Sequence, residues 1–392
     1  MSMPLQPLPI EVLDSYPVID ESAVDALLAQ EIAKDPHKIV VLDDDPTGVQ
    51  TVHDVSVYTD WSPESIRTGF TEEGKLFYIL TNSRGMTRDE TAAVHREIGS
   101  RVAQIARETA TPYLVMSRSD STLRGHYPLE TELLREAMEA DGLTVDGEVM
   151  CPFFKEGGRF TINDVHYVQQ GGQLVPAAET EFARDKTFGY AHSSIPEYIE
   201  EKTDGHFRAE DVVCVSLDDL RSCNYDHIER QLLNVTGFNK ICVNAIDYCD
   251  IKVFAVALYR AMAQGKTFLF RTAAGLVKVV GGVSDIPLLS REDMVTTETQ
   301  SGGVVVVGSH TQKTTAQLEE LLQLDCTVPV AFNSDLVLQG DDALYAEVDR
   351  CVALEEEVVR AGKVAVCFTR RELLEVPNDT KESALLRSVK IS

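Results

Sequence analysis

Three polar segments stand out because each follows directly on an apolar run. The first is Asp43-Asp44-Asp45-Pro46-Thr47-Gly48 after KIVVL, and the second is Thr81-Asn82-Ser83-Arg84 after LFYIL. The third, SRSDSTLRG after YLVM, places Arg118, Ser119, Asp120, Ser121, Thr122 and Arg124 within seven residues. Arginine offers a planar fork that holds a carboxylate through two parallel hydrogen bonds. Asp, Ser, Thr and Asn exchange hydrogen bonds with hydroxyls, and an aspartate near one hydroxyl can take its proton as the oxygen attacks a phosphoryl group. The combined set suits a small polyhydroxy acid. A fourth segment, FFKEGGRFT at 153–161, adds Lys155, a Gly pair and Arg159. Plainer explanations exist for each: Asp before Pro and Gly caps a turn, and Ser-Asp-Ser-Thr N-caps a helix near 128–139. What outweighs them is that the segments fall on one predicted sheet edge.

That edge follows from the elements that must position these residues. Strand-like runs at 38–42, 76–80, 113–116 and 148–154 alternate with helix-like stretches, and more strands follow near 212–216 and 240–244, with a helix near 251–263. The clearest helix opens at Thr87 with Glu90 three residues on, a capping box, and continues Val94, Ile98, Val102, Ile105 at helical spacing. Alternating strands and helices predict a mainly parallel sheet covered on both faces, whose ligands bind beyond the carboxyl ends of its strands. Val24, Leu27, Leu28 and Ile32 predict a helix within an N-terminal extension over 1–36. Residues 37–283 form the first domain, 284–302 read as a linker, and 303–392 hold a second, smaller α/β unit. That unit begins GVVVVGS, with helices near 313–323 and 342–361 and strands near 327–332 and 364–368.

Composition narrows the class. A length of 392 residues favours two domains over one core. A formal charge of −27 argues against nucleic acid or an anionic membrane surface as partner. An anionic substrate would therefore need a local arginine cluster. No apolar run reaches the roughly 20 residues that cross a bilayer, and the N-terminus lacks a secretory pattern, so a cytoplasmic enzyme is expected. The eight cysteines lack any CxxC pair; Cys151, Cys214, Cys242 and Cys367 sit in strand-like runs as reduced core residues.

Two families fit. Asp43-x-Asp45-x-Thr47 with Thr81-Asn82 is similar to the first two motifs of Mg-dependent haloacid-dehalogenase-type phosphatases, with Asp43 as nucleophile and Asp218-Asp219 as a candidate acidic pair. It leaves the 117–125 cluster and the second unit without a role. DDDPTG (43–48), TNSR (81–84), SDSTLRG (119–125), GGRFT (157–161) and VVVVGSHTQKTTAQLEEL (304–321), in that order, resemble the four-carbon acid sugar kinase family from about residue 37 onward. The resemblance implies an acid-sugar-binding domain followed by an ATP-binding domain, acting with ATP and Mg2+ on threonate, erythronate or 3-oxo-tetronate types. It implies that Asp44 or Asp45, Arg84 and Arg118–Ser121 hold substrate, and that Ser309 contacts ATP, with Gly308 and His310 beside it at a strand-to-helix turn suited to anions. The family's Gly-Gly-x-Thr-Ser-type segment and later Gly loop, which cradle the ATP phosphates, do not occur in 303–392. The expectation is thus an incomplete second domain, weak ATP binding and little turnover, with sugar-acid binding without catalysis as an alternative. An apolar sheet edge there favours homo-oligomers.

Overall fold

A computed structural model describes residues 5–295, 299–372, 374, 376–377 and 380–391. The expected extension, linker and second domain fall outside the described residues at 1–4, at 296–298, and at 373, 375, 378–379 and 392. The chain divides into two compact units, Met1–Ile286 and Pro287–Ser392.

In the first unit the strands are β1 (Leu8–Pro9), β2 (Lys38–Asp43), β3 (Val57–Tyr58), β4 (Leu76–Leu80), β5 (Tyr113–Arg118), β6 (Gly147–Cys151), β7 (Arg159–Ile162), β8 (Val165–Gln170), β9 (Gln173–Pro176), β10 (Val213–Val215), β11 (Asn239–Val243) and β12 (Phe268–Thr272). Eight of them make one sheet in the order β10-β11-β6-β12-β5-β2-β4-β3. Every pairing in it is parallel. β2, β5 and β6 are buried along their whole length, as strands covered on both faces must be, and that is why they read as continuous apolar runs. Alternation decides the face. Ile39, Val41, Leu76, Tyr78, Leu114 and Met116 join one core layer, under the helices Glu21–Lys34 and Tyr248–Ala263. Val40, Leu42, Phe77, Ile79 and Val115 join the other, against Pro63–Thr71, Arg88–Thr109 and Leu129–Ala140. The helix Arg88–Thr109 opens on the expected Thr87–Glu90 capping box.

The remaining strands form a separate antiparallel sheet, β1-β9-β8-β7. Sequence reading singled out the segment FFKEGGRFT there but assigned no strands to 159–176. The sheet's strands are only two to six residues long, too short to carry much periodic signal.

The second unit has β13 (Gly303–Val307), β14 (Thr327–Ala331) and β15 (Val364–Phe368), parallel in the order β13-β15-β14. Helices Gln312–Leu321 and Asp341–Arg360 accompany them. Val330, Cys351 and Ala365 make its small core, while Val304 and Val306 on the edge strand β13 stay exposed. The mainly parallel two-unit α/β architecture expected from the sequence is the one observed.

Candidate functional site

In the first unit β4, β2, β5 and β12 are consecutive neighbours, so their carboxyl ends lie side by side. Asp43 ends β2 and pairs in register with Arg118 at the end of β5, which pairs in turn with Thr272. Asn82, in the left-handed region at φ 53°, turns the chain beyond β4 into the short 3-10 turn Ser83–Gly85. The Arg84 amide then donates to the Asp44 carbonyl at 3.2 Å. The Arg84 side chain grips Asp44 with two donors: Nη2 to Oδ1 at 2.7 Å and Nε to Oδ2 at 3.3 Å. Its other terminal nitrogen lies 3.0 Å from Asp45 and 3.9 Å from Asp120. Ser119 Oγ donates to the same Asp44 carboxylate at 2.5 Å. Both Asp44 oxygens are thereby engaged.

The 119–125 loop is tied down by groups far away in sequence. Asp120 receives Arg124 Nε at 2.7 Å and the Thr122 hydroxyl. Burial alone would raise Asp120, but Arg124 and Arg84 outweigh it and hold its carboxyl far below the usual range. Tyr190 and Tyr198 hydroxyls donate to the Thr122 and Leu123 carbonyls, each at 2.8 Å. The Ser121 carbonyl lies 2.8 Å from His166 Nε2, whose Nδ1 is 3.0 Å from Thr161 Oγ1. Burial lowers His166 to about 4, so it bridges β8 and the loop as a neutral ring. Gly125 closes the loop at φ 120°, and a Cβ there would stand 2.7 Å from Arg271 Nη2 and 2.9 Å from Ser119 Oγ. Arg159, at the start of β7, and Arg124 both lie over the Phe182 ring, at 5.4 and 5.0 Å.

Two guanidinium groups here are not fully satisfied. Arg118 is 5% exposed; its Nη1 meets Asp43 Oδ1 at 3.3 Å. Its Nε, and that of Arg159, are buried with no hydrogen-bond partner among the described residues. Lys155 instead leaves the cluster for Asp247, at 2.7 Å.

Asp43 differs from its neighbours. It is 2% exposed, and a Cβ on Gly48 would overlap its carboxylate, so the turn covers it. Burial pushes it up to about 7, with Arg118 opposing and Asp44 reinforcing. For Asp45, burial also acts upward, but Arg84 and the Thr47 hydrogen bonds prevail and keep it low. A raised folded-state value means the folded protein binds the extra proton between pH 4 and 7. Asp43 therefore favours folding at acidic pH, and that contribution is lost as pH rises through about 7. Asp43→Asn is expected to gain stability relative to wild type on going from pH 4 to pH 8, by a few kcal/mol. Denaturation midpoints across that range measure it; a constant difference would contradict the assignment.

The phosphatase arrangement has no geometric support. Asp218 and Asp219 begin the helix Leu217–Arg221 beyond β10, and Asp219 is engaged by its cap residue Ser216. β10 lies five strand positions from β2, roughly 24 Å, too far to share a cation with Asp43.

Sequence reasoning missed Glu130 and Arg271. Arg271 Nη1 meets Glu130 Oε2 at 2.7 Å, and Nη2 donates to the Arg124 carbonyl at 3.1 Å. The other Glu130 oxygen accepts from Ser83 Oγ at 2.6 Å. One buried ion pair thus braces the loops carrying Arg84 and Arg124. A charged residue inside FLFRT was the available signal for Arg271; Glu130 shows none beyond its place in an amphipathic helix.

In the second unit Gly308 and Ser309 follow β13. Ser309 Oγ lies 3.3 Å from both Thr311 Oγ1 and Thr314 Oγ1, at the start of Gln312–Leu321. Arg371 brackets this turn through the carbonyls of Ser309, Val307 and Thr369.

Comparison with known proteins bears on both units. A family model described as a sugar-binding N-terminal domain matches residues 39–280, and one described as a nucleotide-binding C-terminal domain matches 304–390. No curated protein matches the chain. Among solved structures, one titled as a putative tRNA synthase from Salmonella typhimurium is 15% identical with a TM-score of 0.52, covering 86% of this chain and 75% of its own. A Haemophilus influenzae protein is 15% identical at a TM-score of 0.48, covering 84% and 74%. A Bordetella bronchiseptica domain of unknown function, a domain-swapped dimer with bound citrate, is 19% identical at 0.46, covering 90% and 79%. The first of these likenesses is one of fold.

Proposed function

The chain belongs to the four-carbon acid sugar kinase family, joining a sugar-binding N-terminal domain to a nucleotide-binding C-terminal domain, and from that premise we propose that its first unit takes a four-carbon sugar acid as phosphoryl acceptor from ATP. The observation that carries this reading is the gathering of Arg84, Arg118 and Arg124 beyond the carboxyl ends of β4 and β5, with Arg159 sharing the Phe182 ring with Arg124. In a chain of charge −27, arginines concentrated at one sheet edge make that edge a place where an anion is welcome.

The geometry supports the following roles. Arg118, Arg124 and Arg159 hold the acid, while Ser119, Asp120, Ser121 and Thr122 offer partners to its hydroxyls. Asp44, gripped by Arg84 and Ser119, positions the cluster rather than moving a proton. Asp45 is the more open carboxylate and stays ionised, so it is the proton acceptor as the sugar hydroxyl attacks. ATP falls to the second unit, where the Ser309, Thr311 and Thr314 hydroxyls sit at a helix N-terminus suited to phosphates. Mg2+ arrives with the nucleotide, neutralising phosphate charge. Cytoplasmic action and self-association through the exposed edge of β13 complete the reading.

Thermal shift against threonate, erythronate and their neutral tetritol analogues tests it. The acids should raise the melting temperature and the tetritols should not; equal shifts would remove the carboxylate from the argument. Release of ADP with D-threonate, D-erythronate or L-threonate then decides whether binding leads to transfer.

A further inference from the structure

Away from the sugar-acid cluster, three soft and hard ligands converge at the opposite edge of the large sheet. Cys214 on β10 and Cys242 on β11 are partners in the parallel register. Asp164, in the turn between β7 and β8, reaches over them. The two sulfurs and a carboxylate oxygen lie within 4.8 Å of one another, and Cys242 Sγ is 3.9 Å from Asp164 Oδ1.

The carboxylate does not reach this place by chance of rotamer. Asn163 and Asp164, both left-handed at φ 48° and 65°, are the two central residues of the tight hairpin turn that joins β7 to β8. Asn244, two residues beyond Cys242, then clamps it from both sides: its Nδ2 donates to Asp164 Oδ1 at 2.7 Å, and its Oδ1 accepts from the Asp164 amide at 2.7 Å. The same Nδ2 also reaches the Val215 carbonyl at 2.9 Å. A ligating carboxylate oriented by a buried amide is how metal sites fix their ligands. Asn244 is 1% exposed, so this clamp is part of the core.

We infer that Asp164, Cys214 and Cys242 form a binding site for a thiophilic divalent cation of the zinc class. Two thiolates and one carboxylate match that preference, and three protein ligands leave a fourth position for water. Zinc with bonds of about 2.3 Å to sulfur and 2.0–2.2 Å to oxygen holds its ligand atoms roughly 3.5–3.8 Å apart. The 3.9 Å Cys242–Asp164 separation lies a few tenths of an ångström beyond this, and small movements of these groups and of Cys214, which is half-buried like Asp164, bring the three ligands together. Binding exchanges two thiol protons for one cation, the protons leaving to solvent. The ion would then pin the antiparallel sheet to β10 and β11 through one coordination sphere.

The test uses the full chain, stripped with a chelator under reducing conditions and titrated with Co2+ as probe. A thiolate-to-cobalt charge-transfer band should appear at one ion per chain, with two protons released, and Zn2+ should bleach it. Cys214→Ser and Cys242→Ser should each abolish the band, whereas Cys326→Ser, an exposed thiol in the second unit, should leave it intact. Asn244→Ala should weaken Co2+ binding by roughly 10–100-fold. Should the buried Cys242→Ser fail to fold, Cys214→Ser decides. Absence of the band in wild type, its survival in Cys214→Ser, or a Cys214–Cys242 disulfide in freshly reduced and desalted protein would overturn the assignment.

Discussion

Arg271→Met should cost the first unit about 3–5 kcal/mol of folding free energy. Methionine keeps much of the volume but strips Glu130 of its counter-charge. Glu130 is 1% exposed, and it would be left with Ser83 Oγ at 2.6 Å and His95 Nε2 at 3.8 Å. The Arg124 carbonyl and Ser117 Oγ would lose a donor in the same stroke. At about 2–4 °C of melting temperature per kcal/mol for a unit of this size, the loss is large enough to read by calorimetry. Replacing both partners, Glu130→Gln with Arg271→Met, should recover part of it, because a neutral pair no longer buries an uncompensated charge. Acid offers an independent check. Burial would raise Glu130, but Arg271 and then His95 prevail and hold it below the ordinary carboxylate value. Its stabilisation is therefore present above about pH 4.5 and is lost as pH falls further. Arg271→Met should lose that acid-side slope. A penalty under about 1 kcal/mol would mean that water, not Arg271, compensates Glu130.

The second large effect belongs to Arg84. Arg84→Ala releases Asp44 from its two-donor grip and takes the nearest positive charge from Asp45 and Asp120. Three carboxylates then face an incoming acid with less to offset them. Threonate or erythronate binding should weaken by roughly 10–150-fold, about 1.5–3 kcal/mol, through loss of the positive charge that offsets these carboxylates and holds Asp44 in place. Arg84→Lys keeps the charge but not the fork, so its loss should fall between wild type and Ala. Calorimetric titration at neutral pH measures both. Unchanged affinity in Arg84→Ala would place the acid elsewhere.

Much of the architecture was legible before any coordinates. Strands at 38–42, 76–80 and 364–368 lie within a residue of those observed because apolar, β-branched runs covered on both faces have few alternatives. The Thr87–Glu90 box announced its helix through local hydrogen bonding alone. The three polar segments could also be assigned to strand ends, since a parallel sheet puts every loop after a strand on the same side.

Who touches whom was another matter. Periodicity tells a residue which face it occupies but not which strand lies beside it. That β12 slots between β5 and β6, delivering Arg271 to Glu130 and the Arg124 carbonyl, depends on which helix crosses which face of the sheet. Asp43, Asp44 and Asp45 are consecutive in sequence, yet one is sealed under Gly48, one is gripped by Arg84 and Ser119, and one stays partly open. Cys214 and Cys242 look like separate core thiols until β10 and β11 pair in register. The sequence by itself determined most elements of the parallel sheets, their faces and the polar strand ends, because those depend on neighbours a few residues away, but not the antiparallel sheet. Only the tertiary structure decided the ionisation of the carboxylates and the meeting of distant side chains, because burial and charge are set by groups tens to hundreds of residues apart.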